Sequence, residues 1–301
     1  MKINLFLIIF LFIQVLCKIS ELEKKSLLLK YAHNLKDNEI SFYYDYDDEF
    51  TAGIPYDPKE IQDIIKKYNF PETYNFFEAN GIQPVIKNQA SCGSCWSFSS
   101  TSSLAYRYKK LGINIDLSPQ YALSCSINDC VIGNNYIDSQ LNLVKNGTTT
   151  EKCFPYASSD GKYIPTCPKQ CLNESLQFKK YFAKNTYALE PVKTSPDLYD
   201  VIAIIMDELI TYGPMYAGLR IFNDFKELHK NATKCAETIY HHDGNFEDES
   251  GHAVTLVGYG FENNKYYWLM QNSWGENDCD HGFFKIEFGQ VNAEKVSFSE
   301  P

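Results

Sequence analysis

Nine of the ten cysteines in this 301-residue chain lie between Cys92 and Cys279, and their spread constrains the fold more than any other feature. The tenth, Cys17, ends an apolar run that starts at Leu5, just after Lys2. At about a dozen residues the run is too short for a bilayer and has the length of a signal-peptide core. Residues 1–17 are therefore expected to be removed, and the rest to enter an oxidising compartment in the secretory pathway, lysosomal or extracellular. Cysteines pair there, and an odd number leaves one thiol free.

Cys95 is the thiol best placed to stay free. It sits in Gln89-Ala-Ser-Cys92-Gly-Ser-Cys95-Trp96-Ser-Phe98, where a helix is about to begin. Leu104, Ala105, Tyr108 and Leu111 recur at helical spacing over 96–111, and Gly112 can end the helix in the left-handed conformation. The positive end of a helix favours the thiolate, which is the nucleophilic form of cysteine. Two rival readings take Cys92 and Cys95 as a C-x-x-C pair. A zinc site needs two more ligands at short, repeated spacing, and the other cysteines and histidines are scattered singly. A dithiol redox centre expects a strand before the pair, whereas 82–90 is a short loop-like run containing Pro84.

The net charge of −10 argues against nucleic acid as a partner, and no later stretch approaches a membrane span. Three glycosylation sequons, at Asn146, Asn173 and Asn231, agree with a secretory route.

Residues 18–69 differ from the rest of the chain. They hold no cysteine, and an acidic aromatic run, 42–50, separates two helix-like stretches, 21–35 and 58–68. Either this is an extra helical subdomain or it is a removable pro-segment whose extended middle lies in the substrate cleft; the second reading is the stronger in view of the residues beyond 70. Further on, Ser118-Pro119 caps a short helix, and 125–171 is loop-rich and cysteine-dense. Ser195-Pro196-Asp197 and Tyr212-Gly213-Pro214 bound another helix with Leu198, Ile202, Ile205 and Leu209 as its stripe. Beyond it everything reads as strands: 215–222, 252–259, 265–271 and 282–288. Helices first and sheet second imply two packed lobes with a cleft between them.

A thiol nucleophile needs a base, and the base needs an orienting partner. Of the six histidines, His252 stands out because it opens an apolar strand whose neighbour returns after a turn at 262–264. If Tyr259 faces Tyr266, His252 lies opposite position 273, one residue from Asn272, whose amide oxygen can orient the ring.

Gln89 with Cys92-Gly-Ser-Cys95-Trp96, Gly251-His252-Ala253 and Asn272-Ser273-Trp274-Gly275 together resemble the papain family of cysteine peptidases, in the family's order and over residues 70–301. The resemblance implies an α+β papain-like two-lobe fold, with a helical left lobe (about 75–190), an antiparallel β-barrel right lobe (about 191–301) and the active-site cleft between them. It implies Cys95 as nucleophile, His252 as general acid and base, Asn272 as orienter, and Gln89 with the Cys95 amide as oxyanion hole. Trp274 would shield the His252 to Asn272 contact, and Gly133, Gly251 and Ala253 would face substrate. No cofactor and no metal are implied. The partners are polypeptide substrates and the chain's own pro-segment as inhibitor, with no nucleic acid or membrane, and the protein is expected as a monomer.

Cys153-Phe-Pro-Tyr156, Gly213-Pro214 and Ile239-Tyr240-His241-His242 resemble the cathepsin B and cathepsin C branch. By that analogy the disulfides are Cys92 to Cys130, Cys125 to Cys167 and Cys153 to Cys171. The chain also departs from the family. Where Cys-Asn-Gly-Gly is usual in the substrate loop it reads Cys130-Val131-Ile132-Gly133, so that Ile132 narrows the approach. Where a second tryptophan often follows Trp274 it has Asp278, then Cys279, a partner for Cys235. The 153–171 loop holds no histidine, and fewer than 70 residues precede the catalytic part, which favours an endopeptidase over either kind of exopeptidase. An inactive papain-like binding protein is the alternative from another class.

Overall fold

The computed structural model describes residues 19–34, 53–126, 129–189, 194–247 and 249–301. The expected leader and the acidic aromatic run at 42–50 lie outside the described residues. Chain order begins with α1 (Glu21–Tyr31), β1 (Ala32–Asn34), α2 (Pro58–Tyr68), β2 (Tyr74–Asn75) and α3 (Phe76–Asn80). Then come α4 (Cys95–Lys110), α5 (Pro119–Ser124), α6 (Tyr136–Lys145), β3 (Lys184–Leu189) and α7 (Ser195–Thr211). The chain closes with β4 (Met215–Ile221), α8 (Asn223–His229), α9 (Ala232–Ala236), β5 (Ile239–Tyr240), β6 (Ser250–Glu262), β7 (Lys265–Gln271), β8 (Phe283–Glu287) and β9 (Val296–Glu300).

The helix starts and stops follow local chemistry. Ser118 Oγ accepts from the Tyr121 amide at 2.9 Å, and Pro119 occupies the first turn of α5. Gly112 takes φ +83° just past α4. The stripe Leu198, Ile202, Ile205 and Leu209 of α7 is fully buried. Several elements go beyond the sequence reading. Helix α6 sits in the cysteine-dense region read as loop, and α8 and α9 interrupt a stretch read as strands only. The short helix α3 and the strands β1, β2, β3, β5 and β9 were also missed.

The long apolar β6 is the hub of the sheet. The hydrogen-bonded order is β1-β3-β9-β4-β6-β7-β8-β5, with β2 also on β6. This corrects the expected antiparallel β-barrel: the sheet is open, and β5 pairs parallel with β8. Its outer strands β1 and β5 do not pair with each other. Ile61 and Ile65 of α2 and the stripe of α7 join the same apolar core as the sheet, so helices seal the face that strand closure would otherwise cover. The sheet also takes in β3, through β9, although these residues fall within the expected helical lobe.

The two lobes meet where α4 crosses β6. Ser97, Ser99, Ser100, Thr101 and Ser103 of α4 are all buried. Ser97, Ser100, Thr101 and Ser103 return their hydroxyls to carbonyls three or four residues back, which leaves a thin, satisfied helix face. Ser99 Oγ instead donates across the seam to the Val254 carbonyl at 2.7 Å.

A buried charge network ties α1 to α7. Lys24 Nζ lies 2.7 Å from Asp207 and 2.9 Å from Glu208, and Arg107 Nη1 lies 2.8 Å from the other Glu208 oxygen. Burial works to raise Glu208, but Arg107 and Lys24 outweigh it and hold the carboxyl below its ordinary range. Asp207 is pushed up by burial despite Lys24. Removing one member of such a network strands the others. Lys24→Met should therefore cost about 3 kcal/mol of stability by denaturant unfolding at neutral pH; an unchanged midpoint would contradict this assignment.

Candidate active site

Cys95 is the first residue of α4, and Ser94 at the N-cap makes no side-chain bond to the helix. The first-turn amides are thereby left for a group at the helix mouth. Cys95 is the one free cysteine among the described residues, partly exposed beside a small apolar cluster that includes Trp96 and Ala253. The other eight are joined as Cys92–Cys130, Cys125–Cys167, Cys153–Cys171 and Cys235–Cys279. With Cys92 bonded to Cys130, the C-x-x-C pair is neither a dithiol nor half of a zinc site.

His252 lies near the start of β6, opposite Leu219 of β4, and its Nε2 is 2.8 Å from Asn272 Oδ1. The expected register needs correction. Asn263 and Asn264, both at positive φ, make a two-residue turn, so Tyr259 faces Trp268 and not Tyr266. An irregularity between Leu256 and Gly258 shifts the pairing again. The side chains of His252 and Asn272 still meet, because Asn272 directly follows β7. The Trp274 ring lies against His252 with centroids 4.8 Å apart.

Gln89 is bound to this second strand end. Its backbone amide donates to the Ser273 carbonyl at 2.8 Å, its Oε1 accepts from Ser273 Oγ at 2.6 Å, and its Nε2 donates to the Cys92 carbonyl at 2.9 Å. A primary amide has two N–H bonds, so one remains for a developing oxyanion. Tyr156 donates its hydroxyl to the Gln89 carbonyl and contacts Ser94 Oγ, both at 2.9 Å, which braces the loop in front of α4. Nothing in the sequence singled out Tyr156 or Ser273 for this task.

The substrate loop is held to the same place. Gly93 donates to the Cys130 carbonyl at 2.8 Å, and a Cβ at Gly93 would stand 2.7 Å from that oxygen. Gly133 follows at φ +69°, partly buried. Val131 and Ile132 are 88% and 78% exposed. Gly251 is exposed and Ala253 is buried. Asn146, Asn173 and Asn231 are exposed, and Asn231 caps α9.

Burial pushes the Cys95 thiol up, against the backbone amides of Ala253, Trp96 and Cys95 itself. Burial also pushes His252 down to about 4, against the hydrogen bond it donates to Asn272. Beside a neutral neighbour each group holds its uncharged form. A buried thiol and a buried imidazole ionise readily only as partners, with the proton of one held by the other.

Asn272 is itself held, by a residue read in the sequence only as a missing tryptophan. Its Nδ2 donates to Asp278 Oδ2 at 2.7 Å, while Asp278 Oδ1 lies 2.7 Å from His229 Nδ1. The suspected Cys235 to Cys279 link was the available signal, since it brings the end of α8 to Asp278. Two clusters have the composition of a metal site. In one, His229, Cys235 and Cys279, the sulfurs are bonded to each other. In the other, the Asp224 carboxylate is already engaged by Tyr240, His242 and the amides of Phe225 and Asp243. No described helix is long and apolar enough to cross a membrane.

The model of the papain family cysteine protease matches residues 70–299. Cathepsin B-like CP3 of Giardia intestinalis is 32% identical over 227 residues, covering 72% of this chain and 69% of that protein. Among solved structures, procathepsin B S9 from Trypanosoma congolense matches with a TM-score of 0.64 at 25% identity, over 77% of this chain and 78% of that one. Digestive procathepsin L 3 of the Tenebrio molitor larval midgut has a TM-score of 0.56 at 21% identity, over 77% and 70% of the two chains, a likeness of fold alone.

The proton balance can be read directly. In Cys95→Ala no thiolate can form, so the His252 ring should stay neutral until about pH 4 when followed by NMR, and a midpoint near 6.5 would contradict the burial argument. Because the unfolded chain takes up this proton first, stability of the variant should fall as pH drops from 6.5 towards 4.

Proposed function

The chain belongs to the papain family of cysteine proteases, on its cathepsin B-like side, and from that premise we propose that it hydrolyses internal peptide bonds through a thioester on Cys95. One observation carries the reading. The free sulfur at the mouth of α4 packs by Ala253, and the adjacent His252 is held by Asn272 at 2.8 Å. With Nε2 taken by Asn272, Nδ1 is the ring atom left to receive the thiol proton.

The thiolate attacks the carbonyl carbon, a C–S bond forms, and the carbonyl electron pair moves onto oxygen. That oxyanion takes hydrogen bonds from the Gln89 side chain and the Cys95 amide. As it collapses the C–N bond breaks, and His252 gives its proton to the departing amine. His252 then takes a proton from water, the hydroxide displaces sulfur from the acyl carbon, and the thiol is restored. Trp274, whose ring lies tilted against His252, keeps competing water from the ring's bond to Asn272.

Residues 18–69 serve as a pro-segment. The family match begins at residue 70, and α1 and α2 grip α7 through Lys24, Ile61 and Ile65. The lack of a histidine between Cys153 and Cys171 favours endopeptidase action. The His241 and His242 pair is engaged elsewhere, with Glu287 and Asp224. Processing in the secretory pathway, glycosylation at Asn146, Asn173 and Asn231, and a monomeric state complete the reading.

Processed protein should cut an internally quenched peptide blocked at both ends. Cys95→Ala should abolish cleavage, and Gln89→Ala should lower turnover about 10²- to 10³-fold without loss of fold. Cleavage only at a free terminus would overturn the endopeptidase reading, and full activity in Cys95→Ala would overturn the whole proposal.

A further inference from the structure

The family's reaction needs an asparagine beside the histidine, but nothing in it requires a carboxylate behind that asparagine. Here one is present. Asp278 is buried, accepts from Asn272 Nδ2 at 2.7 Å through one oxygen, and meets His229 Nδ1 at 2.7 Å through the other. An uncapped asparagine amide can present either end to a neighbour, and the two ends differ in donor and acceptor. An acceptor-only carboxylate on the amine end leaves the oxygen end for His252, and so selects the ring with hydrogen on Nε2.

The carboxylate is held in place from three sides. Cys279, next in sequence, is disulfide-bonded to Cys235 and sits at φ +46°, a backbone region that a non-glycine residue occupies only when its surroundings impose it. The Asp278 amide donates to the Gly275 carbonyl, and its own carbonyl accepts from Gly282 at 2.7 Å. His229 is wedged between Phe225, Trp274 and Phe284, with ring centroids 4.2, 5.1 and 5.1 Å away. The same ring that touches Trp274 thus orients the carboxylate behind Asn272.

We propose that Asp278, steadied by His229, is a positioning residue for the reaction: it fixes the Asn272 amide and places a negative charge behind His252 that favours the imidazolium of the ion pair. The inference rests on the catalytic reading of Cys95, His252 and Asn272. The titratable groups acting on His252 are His229 and Asp278, and Cys95 is the proton donor that the catalytic reading sets opposite them. Of the two, His229 opposes its charged form and Asp278, the smaller influence, favours it.

Asp278→Asn keeps the shape and one acceptor and loses the charge. In processed enzyme it should lower kcat roughly ten- to hundredfold with KM unchanged. The basic limb of the pH–rate profile, where the imidazolium loses its proton, should move to lower pH. Added to Asn272→Ala, the same change should lower kcat by a smaller factor than it does alone, because the route through the amide is gone and only the effect of the charge is left. A wild-type kcat and basic limb in Asp278→Asn overturns the proposal, as does a loss of activity with lowered stability and an unmoved limb, which a purely structural role would give. If Asp278→Asn does not fold, Asp278→Glu decides: the retained charge should leave the basic limb at its wild-type position with kcat lowered, and a displaced limb or an unchanged kcat overturns it. Failure of the underlying catalytic reading is distinguishable, since wild-type enzyme would then be inactive or indifferent to loss of His252.

Discussion

Everything at this site depends on the seam between α4 and β6. Cys95 belongs to a helix and His252 to a strand far away in sequence, so only close approach of the two elements can make them the pair that the proposed reaction needs. Small hydroxyl residues make that approach possible. The buried serines of α4 satisfy themselves on their own helix, and Ser99 binds the Val254 carbonyl directly across the seam. A larger side chain there would push His252 away from Cys95 before any catalytic group was altered.

Once the elements meet, the chemistry is a problem of charge in a dry place. Burial raises the thiol and lowers the imidazole, so neither ionises well alone. In the proposed reaction the helix-mouth amides on one side and the Asn272 to Asp278 chain on the other would stabilise the two halves of an ion pair formed by a single proton transfer. The segment ahead of residue 70 uses the same physics for grip, through a lysine buried against two carboxylates of α7.

Much of this was legible in the sequence because it is written locally. Capping residues marked α5 and α7, the motif around Cys95 marked the helix mouth, and odd cysteine parity pointed to a free thiol. What was misread is non-local. The hairpin register was missed because the Asn263-Asn264 turn is shorter than the turn inferred, and an irregularity in β6 shifts the pairing again. Asp278 looked like a gap where a tryptophan belonged; its task needs His229, which reaches it only through the fold and the Cys235–Cys279 link. The barrel expectation failed because α2 and α7, not a closing strand, cover the sheet core.

The central claim is that Cys95 becomes a nucleophile by giving its proton to His252. The rate of Cys95 alkylation by iodoacetamide, followed against pH in processed protein and in its His252→Ala variant, tests this most directly. The native protein should reach its plateau well below the ordinary thiol midpoint of about 8.5, and the variant should show a midpoint at or above that value. Identical pH profiles for the two proteins would contradict the claim.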